Sequence, residues 1–378
     1  MPALETIRFV HSADWQLGMW REQLSQEAQA RFAAARIEAI RSIGEVARRV
    51  GASFAVVAGD VFESNLLDPA VVRRALDAMG EAEVPIYLLP GNHDPLQPGG
   101  IFKSPLFHSR CPANVHLLSD SEPRHPIPGL ELIGVPWLSR RPIGDPVGDL
   151  CQRLLPTSAR RLVVAHGAVD LGNPEPGNPN LIRVSLVEEA IQQRRLDYLA
   201  LGDRHSTTSV GSTGAIWYSG TPEPTRFTEV DPGNVLEVEL GDAGPEVIPH
   251  RVGTWTFVSQ DFTINGRDDL ERLSNWLEDR PAKERTLLRL AVRGTVSVQV
   301  AADLDARLEG ARSLYAGVRL AGAGAGLAVL PDDSELLDLG LSGFAQVAAD
   351  NLPARAGAGD EVAADALALL FRLVRDQA

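Results

Sequence analysis

The chain has 378 residues, enough for two domains or for one large domain with an appendage. Its 44% hydrophobic and 23% charged content is that of an ordinary soluble globular protein. No run of about 18 apolar residues is present, so no membrane span is expected. From Met1-Pro2-Ala3 onward no signal peptide is expected, and two cysteines, Cys111 and Cys151, are too few for a disulfide framework; a cytoplasmic protein is expected. The net charge of −14 argues against a protein that coats nucleic acid nonspecifically. It leaves a nuclease open, because bound cations can supply positive charge where phosphate sits.

In chain order, residues 7–13 predict a strand that delivers Asp14. Phe32, Ile37, Ile40, Ile43, Val46 and Val50 fall at helical spacing over 26–50, with Gly51 as a C-cap. The apolar run 54–58 leads to Gly59-Asp60. Asp68-Pro69 opens a helix over 68–80, and 84–89 is a strand ending at Gly91-Asn92-His93-Asp94. This strand–helix alternation is the α/β signature, in which ligands gather beyond the carboxyl ends of strands. Strands at 130–135 and 161–165 follow, the second delivering His166, then a polar loop at 171–180 and a helix at 184–195. The strand at 198–201 opens onto Gly202-Asp203-Arg204-His205. Segments 215–219 and 234–240 read as strands, and 241–254 as a linker. Further on, helices at 268–279 and 298–311 alternate with strands at 286–293 and 313–320 in a small α+β unit. Residues 341–359 read as loosely structured. Asp360 caps a last helix whose apolar face, with Val362, Ala366, Leu369, Leu370, Leu373 and Val374, packs on its own chain or on a partner. The expected domains are 1–253, 254–340 and 341–378.

Aspartates, histidines and amides at successive strand ends are the donors a pair of divalent ions needs, and such a pair hydrolyses phosphoesters. Asp60, on a tight Gly-Asp turn, is the candidate bridging carboxylate. The clusters His11-Ser12-Ala13-Asp14-Trp15-Gln16-Leu17-Gly18, Gly59-Asp60-Val61-Phe62, Gly91-Asn92-His93-Asp94, Ala165-His166-Gly167 and Gly202-Asp203-Arg204-His205 occur in this order. They resemble the calcineurin-like metallophosphoesterase superfamily. The string from Tyr218 through Thr221-Pro222-Glu223-Pro224-Thr225-Arg226-Phe227 resembles, within it, the SbcD-type DNA repair exonucleases.

The resemblance implies a four-layer α/β/β/α sandwich, with a small α+β capping domain and a C-terminal helix. It implies one metal on Asp14, Gln16, Asp60 and His205 and a second on Asp60, Asn92, His166 and Asp203. His93 would act on the scissile phosphate, with Asp94 orienting it. The family usually has histidine where Gln16 and Asp203 stand, so the donor set is harder and more anionic. That favours Mn²⁺, or Mg²⁺, over Zn²⁺. The resemblance implies DNA as substrate and an SbcC-type coiled-coil ATPase docking on the C-terminal helix, with a homodimer as a further option.

Other residues stay open. Trp15 is a packing residue or a base-stacking one. Arg204 touches a substrate phosphate or pairs with a neighbouring carboxylate, and Arg140, Arg141 and Arg226 are further candidates for backbone-phosphate contacts. His11 is expected to be buried and hydrogen-bonded; His108, His116, His125 and His250 have no ligand spacing. Two other functions compete with the nuclease: a phosphodiesterase for small or cyclic nucleotides, and a DNA-end-binding subunit without chemistry.

Overall fold

The computed structural model describes residues 6–140, 144–171, 181–321, 326–329 and 343–357, together with 360, 362, 363, 366 and 370. It divides into two compact units, Met1–Arg21 with Gln29–Trp255, and Glu22–Ala28 with Thr256–Ala378. No helix among the described residues is long and apolar enough to cross a membrane.

The elements up to the division are β1 (Ile7–Ser12), α1 (Gln26–Val50), β2 (Ala55–Val57), α2 (Pro69–Gly80), β3 (Ile86–Leu88), α3 (Pro105–Arg110), β4 (Val115–Leu117), β5 (Leu130–Val135), α4 (Pro146–Arg153), β6 (Arg160–His166), α5 (Val184–Gln192), β7 (Tyr198–Gly202), β8 (Thr208–Val210), β9 (Ile216–Tyr218), β10 (Asn234–Gly241) and β11 (Gly244–Arg251). Local chemistry sets the helix starts. Asp68 accepts from the Ala70 amide at 2.8 Å with Pro69 in the first turn, and Asp145 caps α4 through the Gly148 amide at 2.8 Å.

A six-stranded sheet runs β11-β10-β1-β2-β3-β4, and a five-stranded sheet runs β5-β6-β7-β9-β8. Successive side chains of a strand point to opposite faces, so each buried strand feeds two cores. Val10, Val57 and Leu88 pack with Ile40, Ile43, Leu76 and Met79 of α1 and α2. Phe9, Val56 and Tyr87, from the opposite face, pack with Leu132, Leu162, Val164 and Tyr198 of the second sheet. Val163, Ala165, Leu199 and Leu201 then pack with Val147, Cys151, Val187 and Ala190 under α4 and α5. The result is helix, sheet, sheet, helix, the layering expected from the family resemblance. Strands buried on both faces are why these runs read as continuously apolar.

The second unit holds β12 (Thr256–Thr263), α6 (Arg267–Glu278), β13 (Thr286–Val296), α7 (Val298–Leu314), β14 (Gly317–Leu320), β15 (Leu327–Val329) and α8 (Phe344–Gly357). Its strands pair in parallel around β13, and Leu270, Leu273, Leu288, Leu290, Leu304 and Leu308 fill its core.

Two segments depart from the sequence reading. The expected linker at 241–254 contains β11, a hairpin partner of β10. Pro245 and Pro249 hide it, because proline reads as a strand breaker; an edge strand tolerates it, since one side has no ladder to feed. The segment 341–359, expected to be loose, contains α8, whose alanines favour helix despite Pro353. Of the expected last helix, Asp360 accepts from the Ala363 amide at 3.1 Å as a cap does, and most of the remainder lies outside the described residues. The polar loop beyond residue 171 lies outside them as well.

His11 sits fully buried under the sheet ends, with Nδ1 3.3 Å from the Tyr198 hydroxyl and Nε2 3.2 Å from the Leu201 carbonyl. Burial pushes its imidazole down to about 3, from an ordinary 6.5. The folded protein therefore holds it neutral while the unfolded chain protonates it below 6.5, so stability falls as pH drops from 6.5 toward 3. In His11→Gln, which cannot titrate, denaturant unfolding measured across that window should lose less stability on acidification than the parent chain. Parallel pH profiles for the two proteins would refute this.

Candidate metal centre

The site forms where the two central sheets end. β1 delivers Asp14 and Gln16, β2 delivers Asp60, β3 leads to Asn92 and His93, β6 ends on His166, and β7 leads to Asp203 and His205. Seven non-glycine residues among those described have positive φ, and four of them are Asp14 (54°), Gln16 (44°), Asp60 (52°) and Asp203 (99°). A non-glycine residue in this region carries backbone strain that the surroundings must hold in place, and such strain clusters at functional sites. The glycines here are demanded by space. A Cβ on Gly59 would lie 2.2 Å from His166 Nδ1, and one on Gly91 would lie 2.2 Å from Asp60 Oδ1.

The side chains converge. Asp14, Asp60 and His166, all buried, place one ligand atom each within 4.8 Å of one another. Asn92 Oδ1 is 2.7 Å and Asp203 Oδ1 3.8 Å from His166 Nε2. His205 Nε2 lies 3.9 Å from Asp14 Oδ1 and 3.2 Å from Gln16 Nε2. The seven residues expected as ligands therefore share one cluster. Gln16 Oε1 is buried without a hydrogen-bond partner, a costly state that an added cation would relieve.

Each histidine presents its Nε2 because Nδ1 is engaged. His166 Nδ1 donates to the Ala58 carbonyl at 2.8 Å, and His205 Nδ1 donates to Glu229 Oε1 at 3.0 Å, with Thr225 beside it. A histidine held through its other ring nitrogen by a carbonyl or carboxylate is the arrangement metal ligands use. The charges point the same way. Burial pushes the Asp14 carboxyl up to about 7 against the pull of His205 and His166, and Asp60 and Asp203 add repulsion. His166 is buried, which lowers its basicity, yet Asp60, Asp14 and Asp203 raise it well above the ordinary imidazole value. Acids this crowded and this dry call for positive charge, and divalent cations fit the donor set.

The family model for calcineurin-like phosphoesterases matches residues 7–234. The chain belongs to this family. It is 27% identical over 367 residues to a subunit of the SbcCD nuclease of Rhodobacter capsulatus, covering 83% of this chain and 87% of that one, in keeping with the SbcD-type branch expected from the motifs. It is also 33% identical over 91 residues to a DNA double-strand break repair protein Mre11 of Archaeoglobus fulgidus, covering 23% of this chain and 19% of that one. A solved dimetal phosphatase of Danio rerio is 12% identical, with a TM-score of 0.40, and covers 65% of this chain and 99% of that one.

In this calcineurin-like phosphoesterase His93 stands at the front of the cluster, half-exposed, with Nε2 3.9 Å from Asp60 Oδ2. Its amide donates to Asp60 Oδ1 at 2.9 Å. The expectation that Asp94 orients it is corrected. Asp94 accepts from the Phe62 and Gly91 amides at 2.9 and 2.8 Å and so ties two ligand loops together, whereas His93 Nδ1 donates to the Glu63 carbonyl at 2.9 Å. Trp15 is a packing residue: it is 1% exposed and its indole donates to Ser12, which leaves no face for a base. Arg204 and Arg226 are exposed on the loops that carry His205 and Glu229; Arg140 is exposed one strand away, and Arg141 lies outside the described residues.

Glu229 and Thr225 escaped the sequence reading, although both sit in or beside the string that carried the SbcD-type resemblance. Arg36 escaped it too. Its buried guanidinium donates to the Trp15 carbonyl at 2.8 Å and the Pro224 carbonyl at 3.0 Å, so it pins the loop between Asp14 and Gln16 to the one that leads to Thr225. A lone arginine on an otherwise ordinary helix gives no such signal. Glu229→Gln should weaken divalent-ion binding about 10- to 100-fold, because the His205 ring loses the carboxylate that holds and polarises it. Calorimetric titration with Mn²⁺ measures this, and an unchanged affinity would remove Glu229 from the site.

Proposed function

We propose that this phosphoesterase is a two-metal DNA nuclease, an exonuclease or endonuclease working on DNA ends in repair. The reading is carried by His93, held by the Glu63 carbonyl with its Nε2 3.9 Å from Asp60 of the buried Asp14, Asp60 and His166 group, and it is supported by the likeness to an SbcCD nuclease subunit over 83% of this chain. One cation would be held by Asp14, Gln16, Asp60 and His205, the other by Asp60, Asn92, His166 and Asp203. Bound there, the pair supplies charge neutralisation for the phosphate and acidifies a water. The chain's own residues do the rest. Asp60 would be shared by the two cations, and Gln16 has a buried amide oxygen without a partner to offer. His93 Nε2 gives a proton to the leaving oxygen, while its Nδ1–H stays on Glu63. Oxygen donors at Gln16 and Asp203 suit Mn²⁺, with Mg²⁺ as substitute.

In this reading residues 1–253 carry the chemistry, 254–340 form an accessory module, and an SbcC-type ATPase docks on the C-terminal segment. Digestion of end-labelled single- and double-stranded DNA with and without Mn²⁺, set against cyclic nucleotides, tests the assignment. Mn²⁺-dependent turnover of DNA that vanishes in Asp60→Asn is expected; turnover of cyclic nucleotides alone would replace it with a small-nucleotide phosphodiesterase. His93→Gln should lower the cleavage rate about 10²- to 10⁴-fold while Mn²⁺ still binds by calorimetry. A variant with the parent rate would strip His93 of its role.

A further inference from the structure

The rim of the metal centre is apolar in an unexpected place. Of the seven large apolar side chains exposed in the described part of the first unit, four are carried on loops that bear or hold the site's side chains: Trp20 at 65%, Leu66 at 89%, Leu138 at 63% and Val230 at 72%. Leu138 follows Trp137, whose indole donates to the His166 carbonyl at 2.6 Å, and Val230 follows Glu229.

Trp20 is the aromatic member, and its placement is built. The Met19 amide closes a turn onto the Gln16 carbonyl at 3.1 Å, which brings the chain straight back from a candidate ligand. Met19 is buried, with its sulfur 3.5 Å from Arg36, while Trp20 faces solvent. The turn is zipped to the loop after Asp60: Leu17 bridges Phe62, the Glu63 amide donates to the Leu17 carbonyl at 3.0 Å, and Leu67 fills the space beside Gly18. Leu66 is carried on that second loop, three residues past the carbonyl that holds His93. Arg21, next in the chain, lies within electrostatic reach of Glu229, Glu63 and Arg226. An outward indole and an exposed aliphatic side chain are thus carried on two joined loops that lead from the candidate ligands Gln16 and Asp60.

An intact duplex offers phosphates and groove edges here, with its base faces stacked away. A strand with unpaired bases offers flat π surfaces, which aromatic side chains bind whatever the base. Resting on the DNA reading above, we propose that Trp20, with Leu66 on the loop zipped to its turn, is a stacking platform for an unpaired nucleobase next to the scissile phosphate.

The test uses the full chain with Mn²⁺ and two fluorescently labelled, nuclease-resistant phosphorothioate strands of equal length and charge, one of thymidines and one abasic. Anisotropy should show the parent binding the thymidine strand more tightly by about 5- to 150-fold, the range of one stacked base. Trp20→Ala should abolish this difference, and Trp20→Phe, which keeps a ring, should retain part of it. Melting curves for both variants report folding, and Leu66→Ser gives an independent variant expected to narrow the difference. A parent that cuts DNA but binds both strands alike, or a Trp20→Ala chain that keeps the preference, overturns the platform alone and leaves the ledge as a protein-docking face. A parent that neither binds nor cuts DNA overturns the nuclease reading as well.

Discussion

The repulsion among buried carboxylates is the constraint on which the rest of the molecule depends. Asp14 and Asp60 are almost fully dry, and His166 is wedged between them, 4.0 Å from one and 3.5 Å from the other. Leaving water costs each charge several kcal/mol, and close packing of like charges adds to that. No fold gathers such groups unless something of opposite charge belongs with them and the surrounding structure can hold them until it arrives. The holding is done from several directions. Asp14 accepts from the Asp203 amide at 3.1 Å, its carbonyl accepts from the Thr221 hydroxyl at 2.8 Å, and Asp60 is braced by the His93 amide.

The double sheet makes this bracing available. Both sheets run their parallel strands out at one edge, and there they come so close that a Cβ on Gly202 would meet the Ala58 carbonyl at 1.9 Å. Backbone groups of one sheet thereby reach side chains of the other: His166, from β6, donates to Ala58, beyond β2. The apolar layer between the sheets fixes their spacing, so the distances among donors are set by the packing of Phe9, Val56, Leu132 and Val164 several residues away. A ligand set assembled from both sheets is as rigid as the core beneath it.

Much of this was legible in the sequence, for a physical reason. Strands buried on both faces are unbroken apolar runs, and the polar residue that ends each run, Asp14, Asp60, Asn92, His166 or Asp203, stands out against them. The donor types then speak to hard-cation chemistry without further help. What was not legible has equally plain causes. β11 hides behind two prolines that only an edge strand tolerates. The partner of His93 is a main-chain carbonyl, at Glu63, which leaves no trace in side-chain spacing, and Asp94 drew attention by adjacency while its oxygens serve backbone amides. Arg36 is remote in sequence from the loops it pins, and Glu229 reaches His205 only after the chain has turned at Thr225. Contacts made by folding, between groups far apart or featureless in sequence, are the ones a linear reading misses.

The left-handed backbone at Asp14, Gln16, Asp60 and Asp203 governs how genetic damage at this centre would be read. Alanine at such a position removes a donor and also forces a Cβ-bearing residue without a stabilising polar group into a conformation that costs roughly 1–2 kcal/mol. A loss of function would then mix chemistry with misfolding. Asparagine tolerates this conformation and nearly matches aspartate in shape, and glycine adopts it freely while emptying the position. For the three aspartates the pair of amide and glycine replacements separates the donor from the strain, a distinction that an alanine scan would erase.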